Sequence, residues 1–119
     1  AEARKLLADG FEKTSVDELV KLLGHPHQQV RLEAQYELAG RKPEEAFVKL
    51  HDALKATAPL TRRHALWALG AMGRRHGTSA TVVANELVNP DPEMRAQAAR
   101  VLGTWGVVRL TVVDRERAG

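Results

Sequence analysis

The sequence predicts an all-α, right-handed superhelical solenoid, and an internal repeat is the main reason. Residues 30–39 (VRLEAQYELA), 61–70 (TRRHALWALG) and 94–103 (MRAQAARVLG) align without gaps at offsets of 31 and 33 residues. The blocks share arginine at position two, alanine at position five, leucine at position nine and a small residue at position ten: Arg31, Arg62, Arg95; Ala34, Ala65, Ala98; Leu38, Leu69, Leu102; Ala39, Gly70, Gly103. Self-similarity at this period is typical of stacked helix pairs.

Composition agrees with closely packed helices. The 119-residue chain is 44% hydrophobic but only 4% aromatic, so leucine, valine and alanine must form its core. The absence of cysteine excludes disulfides, thiolate metal sites and covalent c-type haem attachment within this chain. Its net charge of +3 comes from 18 basic and 15 acidic residues that are well mixed, which permits a nucleic-acid partner without indicating one. No apolar run approaches the roughly 20 residues that membrane insertion requires.

Helix start and stop signals predict a lone leading helix and then a first helix pair. The lone helix covers residues 2–9, and residues 11–14 link it to the pair. Ser15, with Glu18 three residues later, has the pattern that begins a helix. After a proline turn, the second helix of this pair covers residues 28–40.

Two further pairs follow by the same signals. Pro43 begins a helix that runs to about Ala56, and its partner covers residues 60–75. The third pair covers residues 79–88 and 92–104. Four residues are expected to point inward from the first of these helices: Phe47, Val48, Leu50 and Leu54.

We assign residues 1–106 to the repeat domain and residues 107–119 to a tail. The tail is rich in valine, which favours a strand, but no second strand exists for it to pair with. It is therefore expected either to begin a further helix or to pack as an extended segment on the last repeat. Leu6, Leu7 and the apolar run 107–113 are expected to leave surface at the two ends for adjoining domains or weak self-association.

Helix pairs in which D-x-x-x-R leads into an Ala/Leu/Gly helix resemble HEAT repeats. Asp91 and Arg95 match this pattern in the third repeat. His27 and Ala58 stand at the aspartate position of the other two. The resemblance implies a protein-interaction solenoid in which the aspartate and arginine form ladders between repeats.

A finer resemblance rests on GHPHQQVRLEAQ (residues 24–35), HALWALG (64–70) and RKLLADGF (4–11). These phrases are similar to the HEAT segment of large bacterial membrane-bound dehydrogenases, which combine a sugar-dehydrogenase-like β-propeller, HEAT repeats and a c-type cytochrome domain. The resemblance implies a segment of such a redox protein, which would be periplasmic or exported. It carries over no catalytic residue and no cofactor site, because neither the propeller nor Cys-x-x-Cys-His is present in this chain.

Six residues form the candidate interaction surface: Arg31, Gln35, Arg62, Arg63, Trp67 and Arg95. Arg63 and Trp67 are four apart and therefore neighbours on one helix face, where they suit a protein-binding patch. The structural alternative is that Trp67 packs between helices while the repeated arginines contact loop carbonyls and aspartate. A third interpretation is a row of arginines that tracks phosphates, as in HEAT-like DNA glycosylases, although the interleaved glutamates weaken it.

Motifs for catalysis or metal binding are absent from the sequence. His25 and His27 lie two residues apart, but a metal site needs further ligands, and the other histidines fall on other helices. There is no nucleophile motif, no phosphate loop and no HExxH. The sequence therefore predicts a non-catalytic scaffold that binds or spaces protein domains, without cofactor or metal. The alternatives are a nucleic-acid-binding protein of the DNA-glycosylase kind and an accessory that resembles HEAT-like bilin lyases.

Overall fold

The computed structural model describes residues 2–77 and 80–104, and these residues form helices without any strand. The helices are α1 (Glu2–Asp9), α2 (Val16–Leu22), α3 (Gln28–Gly40), α4 (Pro43–Ala53), α5 (Pro59–His76), α6 (Ala80–Asn85), which a 3₁₀ turn (Glu86–Val88) follows, and α7 (Pro92–Gly103). No described helix combines the length and apolar character that crossing a membrane demands.

The helices form an α-solenoid of three pairs behind a single leading helix. The first repeat is α2 and α3, the second is α4 and α5, and the third is α6 and α7. Contacts run from α1 to α3, from α3 to α5 and from α5 to α7, so the second helices make one layer. In the other layer α2 contacts α4. Each repeat therefore buries its apolar face against its neighbours, as the sequence predicts.

Capping residues, proline and glycine explain several of the helix ends. The Ser15 hydroxyl accepts a hydrogen bond from the Glu18 backbone N–H at 3.2 Å, so the predicted cap of α2 is confirmed. Proline begins α4, α5 and α7, where the missing N–H would have no helical partner. Gly10 and Gly77 follow α1 and α5 with φ of 77° and 69°, a left-handed conformation that favours glycine.

The core follows the repeat. The three repeated alanines, Ala34, Ala65 and Ala98, are completely buried, and the repeated leucines are at most 1% exposed. A methyl group on Gly70 would overlap the side chain of Val101, so α5 and α7 approach closely at that point. The three alanines therefore lie in the core, and Gly70 marks a close contact between α5 and α7.

Helix α4 differs from its prediction. Val48, expected to point inward, is 66% exposed, and the helix ends at Ala53 rather than near Ala56. Ala46, Leu50 and Ala53 form the buried stripe, which Leu54 continues just beyond the helix, at spacings of four, seven and eight residues. Val48 lies two residues from both Ala46 and Leu50, which places it on the opposite face. Leu50 and Leu54 are buried and Phe47 is partly buried, as predicted. Only Val48 was misassigned, because alanines fill half of the buried stripe.

The segments at the ends also depart from expectation. The predicted linker contains Phe11, which is buried in the core. Residues 80–88 do not form one helix: α6 ends at Asn85 and is followed by a 3₁₀ turn, which is common at helix ends. Leu6 and Leu7 are partly buried against the core. The predictions for residue 79 and for the tail, residues 107–119, lie outside the described residues.

Candidate interaction surface on the second helices

The repeated arginines share one contact in all three repeats. Each guanidinium donates through Nη1 to the backbone carbonyls five and six residues before it. The pairs are Arg31 to Pro26 (3.1 Å) and His25 (2.7 Å), Arg62 to Thr57 (2.9 Å) and Ala56 (2.7 Å), and Arg95 to Pro90 (3.1 Å) and Asn89 (2.8 Å). These carbonyls lie in the turn between the two helices of a repeat, beyond the reach of helical partners. The arginine therefore fastens the turn with charge-assisted hydrogen bonds.

An aspartate–arginine contact links the second and third repeats. Asp91 Oδ2 lies 3.6 Å from Arg62 Nη2, and the same carboxylate caps α7 by accepting from the Glu93 backbone N–H at 2.9 Å. His27 caps α3 in the same way through Nδ1, which accepts from the Gln29 N–H at 3.2 Å. Ala58 has no side chain that could cap α5. The aspartate–arginine contact between repeats, which the HEAT resemblance implies, is therefore present at Asp91, where the sequence has the aspartate.

The junction between α3 and α5 is built around a buried histidine. Arg31 Nε donates to His64 Nε2 at 3.2 Å, so the other ring nitrogen, Nδ1, carries the proton and donates to Gln35 Oε1 at 2.7 Å. Burial, then the positive charges of Arg31 and Arg63, lower the pKa of His64 below its ordinary value of 6.5. A neutral imidazole is therefore part of this junction.

The junction between α5 and α7 uses a charged pair and an indole. Arg63 Nη2 donates to Glu93 Oε1 at 2.9 Å, and Trp67 Nε1 donates to Gln97 Oε1 at 2.8 Å. The amide of Gln97 donates in turn to Glu93 Oε1 at 2.9 Å. Gln97 is 6% exposed, so these partners satisfy a polar group that burial would otherwise penalise.

A groove of about 560 Å³ lies between α1 and α3. Leu7, Phe11 and Glu12 line it from the leading helix and its linker, and Gln29, Glu33 and Tyr36 line it from α3. Tyr36 is 60% exposed. The groove corresponds in position to the two junctions just described, since it too separates consecutive second helices.

Comparison with protein families gives a match to HEAT repeats over residues 16–84, which is more than half of the chain. This chain belongs to the HEAT-repeat family. The match begins at the first residue of α2 and reaches into α6, so it includes two complete helix pairs. Neither the curated proteins nor the solved structures gave a match. The HEAT resemblance is thus confirmed, whereas the finer resemblance to dehydrogenase segments stays a proposal.

Five of the six candidate residues make contacts between repeats at the two junctions, and Arg95 fastens the turn of its own repeat. All six make hydrogen bonds within the chain: Arg31, Gln35, Arg62, Arg63, Trp67 and Arg95. These contacts agree with the structural interpretation of the arginines and of Trp67. Binding to a partner through this surface stays a prediction.

Three residues that form hydrogen bonds at the two junctions were not predicted from the sequence: His64, Glu93 and Gln97. A usable signal existed, because His64 and Gln97 occupy the same position of their repeats, beside the invariant alanine. His64 and Gln97 are both buried, so each needs a hydrogen-bond partner, and the neighbouring repeat supplies one.

The histidines near the first turn make local contacts. His25 Nδ1 accepts from the His27 backbone N–H at 3.0 Å, and His27 caps α3. Within residues 2–77 and 80–104, no group of three histidine or carboxylate side chains could surround a metal ion.

Proposed function

We propose that this HEAT-repeat chain is a non-catalytic scaffold that binds or spaces protein domains. The supporting observation is that the polar side chains that recur along the second helices form hydrogen bonds within the chain. They hold the turns and link neighbouring repeats, which is a structural role and suits a scaffold rather than an active site. Stacked repeats of this kind present extended surfaces to partners, and the α1–α3 groove is an opening in such a surface.

The same observation favours a protein partner over nucleic acid. A row of arginines that tracks a phosphate backbone needs guanidinium donors turned toward solvent. Here Nη1 of Arg31, Arg62 and Arg95 is engaged with turn carbonyls in every repeat. Glu33 and Glu37 add negative charge to the same layer.

Binding measurements on the folded chain test the proposal. We expect no retardation of duplex DNA in gel electrophoresis at either low or physiological salt, and no uptake of a bilin chromophore. We expect the immobilised chain to retain a protein from a nuclease-treated extract of its source cells. DNA retardation that weakens steeply with salt would favour the nucleic-acid alternative instead.

We also infer that the chain is the HEAT segment of a larger bacterial redox protein, in which it would space or dock adjoining domains outside the cytoplasm. The support is the similarity of residues 24–35 and 64–70 to the HEAT segments of membrane-bound dehydrogenases. The full gene decides this point, because it should encode a Cys-x-x-Cys-His downstream of the repeats. A gene that encodes no haem-binding motif would contradict it.

A further inference from the structure

The α5–α7 junction indicates what the α1–α3 groove can bind, because α3 and α7 carry related polar pairs at the same repeat positions. Gln29 and Glu33 in α3 occupy the same repeat positions as Glu93 and Gln97 in α7. In both helices the glutamine amide donates to the glutamate carboxylate four residues away, at 2.9 Å. The two residue types are exchanged in order, but each helix presents one amide and one carboxylate as a linked pair.

In α7 this pair receives donors from the preceding second helix. The guanidinium of Arg63 contacts Glu93, and the indole N–H of Trp67 contacts Gln97. In this fold, a glutamine–glutamate pair at these positions therefore accepts hydrogen bonds from an arginine and from a neighbouring aromatic N–H group.

In α3 the equivalent pair faces the groove instead. The preceding second helix, α1, and its linker line the groove with Leu7, Phe11 and Glu12, which offer no side-chain N–H donor to Glu33. Their side chains supply an apolar wall and a second carboxylate. Tyr36 adds an exposed aromatic ring on the other side. An arginine side chain fits this combination, since its stem packs on apolar surface while its guanidinium pairs with carboxylates and stacks on aromatic rings.

The groove is held in shape by an arginine of the chain itself. Arg41 donates to the carbonyl of Thr14 at 2.7 Å and to those of Phe11 and Glu12 at 3.2 Å. Its Nε donates to Glu37 at 2.8 Å. The linker between α1 and α2 is thus tied to the end of α3. A preformed site loses less conformational entropy when a ligand binds.

We propose that the α1–α3 groove binds an arginine side chain presented by an exposed segment of a partner protein. The inference rests on the proposed scaffold function and names the chemistry of its partner. The guanidinium contacts Glu33 and Glu12, and its stem lies between Leu7 and Tyr36. Phosphate-bearing partners are disfavoured here by the two carboxylates.

The test uses the whole chain and a minimal probe, the tripeptide acetyl-Leu-Arg-Leu-amide, in an NMR titration. We expect millimolar binding with shifts concentrated at the backbone amides that surround Leu7, Phe11 and Glu33. The same peptide with citrulline in place of arginine keeps the shape but loses the charge, and should bind about tenfold more weakly. A lysine peptide should bind at an intermediate level because it lacks the planar fork.

Two variants sharpen the test. Glu33→Gln should weaken the arginine peptide about tenfold and reduce its preference over citrulline, while Glu12 retains part of that preference. Glu45→Gln makes the same change of charge on the exposed start of α4 and should leave the affinity unchanged.

Equal binding of the arginine and citrulline peptides, shifts confined to another surface, or no shift at millimolar peptide would each overturn the proposal. Retention of a protein from extract by Glu33→Gln at the wild-type level would also overturn it, while leaving the scaffold function standing. DNA retardation would instead count against the scaffold function itself.

Discussion

The α3–α5 and α5–α7 junctions have the same backbone arrangement but different polar chemistry. The first depends on a neutral histidine between Arg31 and Gln35. The second depends on a partly exposed ion pair, an indole hydrogen bond and a close approach at Gly70. The apolar positions repeat while the polar links do not. Apolar burial therefore specifies that repeats stack, and the polar links distinguish one junction from the other.

The largest expected effect is at Ala65, which lies on the helix shared by both junctions. Ala65→Leu should lower the free energy of unfolding by about 1–3 kcal/mol, because the completely buried site has no room for the added atoms. Urea unfolding measures the change. Ala96→Leu, on the exposed face of α7, is the matched control and should stay within about 0.5 kcal/mol of wild type. Equal effects of the two substitutions would show that close helix approach does not govern this position.

Gly70 and Gly103 occupy the same repeat position, which allows a direct comparison. Gly70→Ala should destabilise the chain by about 1 kcal/mol, since overlap with Val101 costs more than the gain in helix propensity. Gly103→Ala should be neutral or stabilising by up to about 1 kcal/mol, because its added methyl meets no atom within 4 Å. The change in melting temperature of each variant relative to the wild type checks this prediction: it should be negative for Gly70→Ala and zero or positive for Gly103→Ala. Stabilisation by both substitutions would contradict the close approach of α5 and α7.

Acid should weaken the α3–α5 junction selectively. The pKa of His64 is lower in the folded chain than its ordinary value of 6.5, so the unfolded chain takes up the proton first as the pH falls. The stability that this group contributes is fully present above pH 6.5 and declines below it. His64→Gln can still donate and accept hydrogen bonds but does not titrate. Unfolding of both chains between neutral pH and about pH 5 should show the wild type losing stability relative to the variant, and a constant difference would refute the junction as described.

The smallest effect is expected at the ion pair of the α5–α7 junction. Arg63 and Glu93 are 42% and 54% exposed, so solvent screens their attraction. A double-mutant cycle of Arg63→Gln and Glu93→Gln should give a coupling of about 0.2–1 kcal/mol that shrinks with added salt. A coupling that salt leaves unchanged would mean that the pair acts as a buried interaction.

Much of the fold could be predicted from local signals, whereas the residue pairs that meet at the junctions could not. Proline and glycine, with the Ser15 cap, give helix ends close to those observed, and α3 has the predicted bounds. Val48 was misplaced because alanines carry half of the α4 stripe. The bonds from His64 to Gln35 and from Trp67 to Gln97 join residues 29 and 30 apart. Such contacts depend on how successive repeats are rotated, and the repeat period in one sequence does not specify that rotation.

The arginine that fastens each turn reaches only five and six residues back, so every repeat carries this fastening with it when the gene segment is copied. The junction contacts lack this independence. If the third repeat followed the first directly, Gln97 would take the place of His64 opposite Arg31 and Gln35. Duplication can therefore lengthen such an array without loss of the turn contacts, whereas the polar contacts between repeats depend on which units are neighbours.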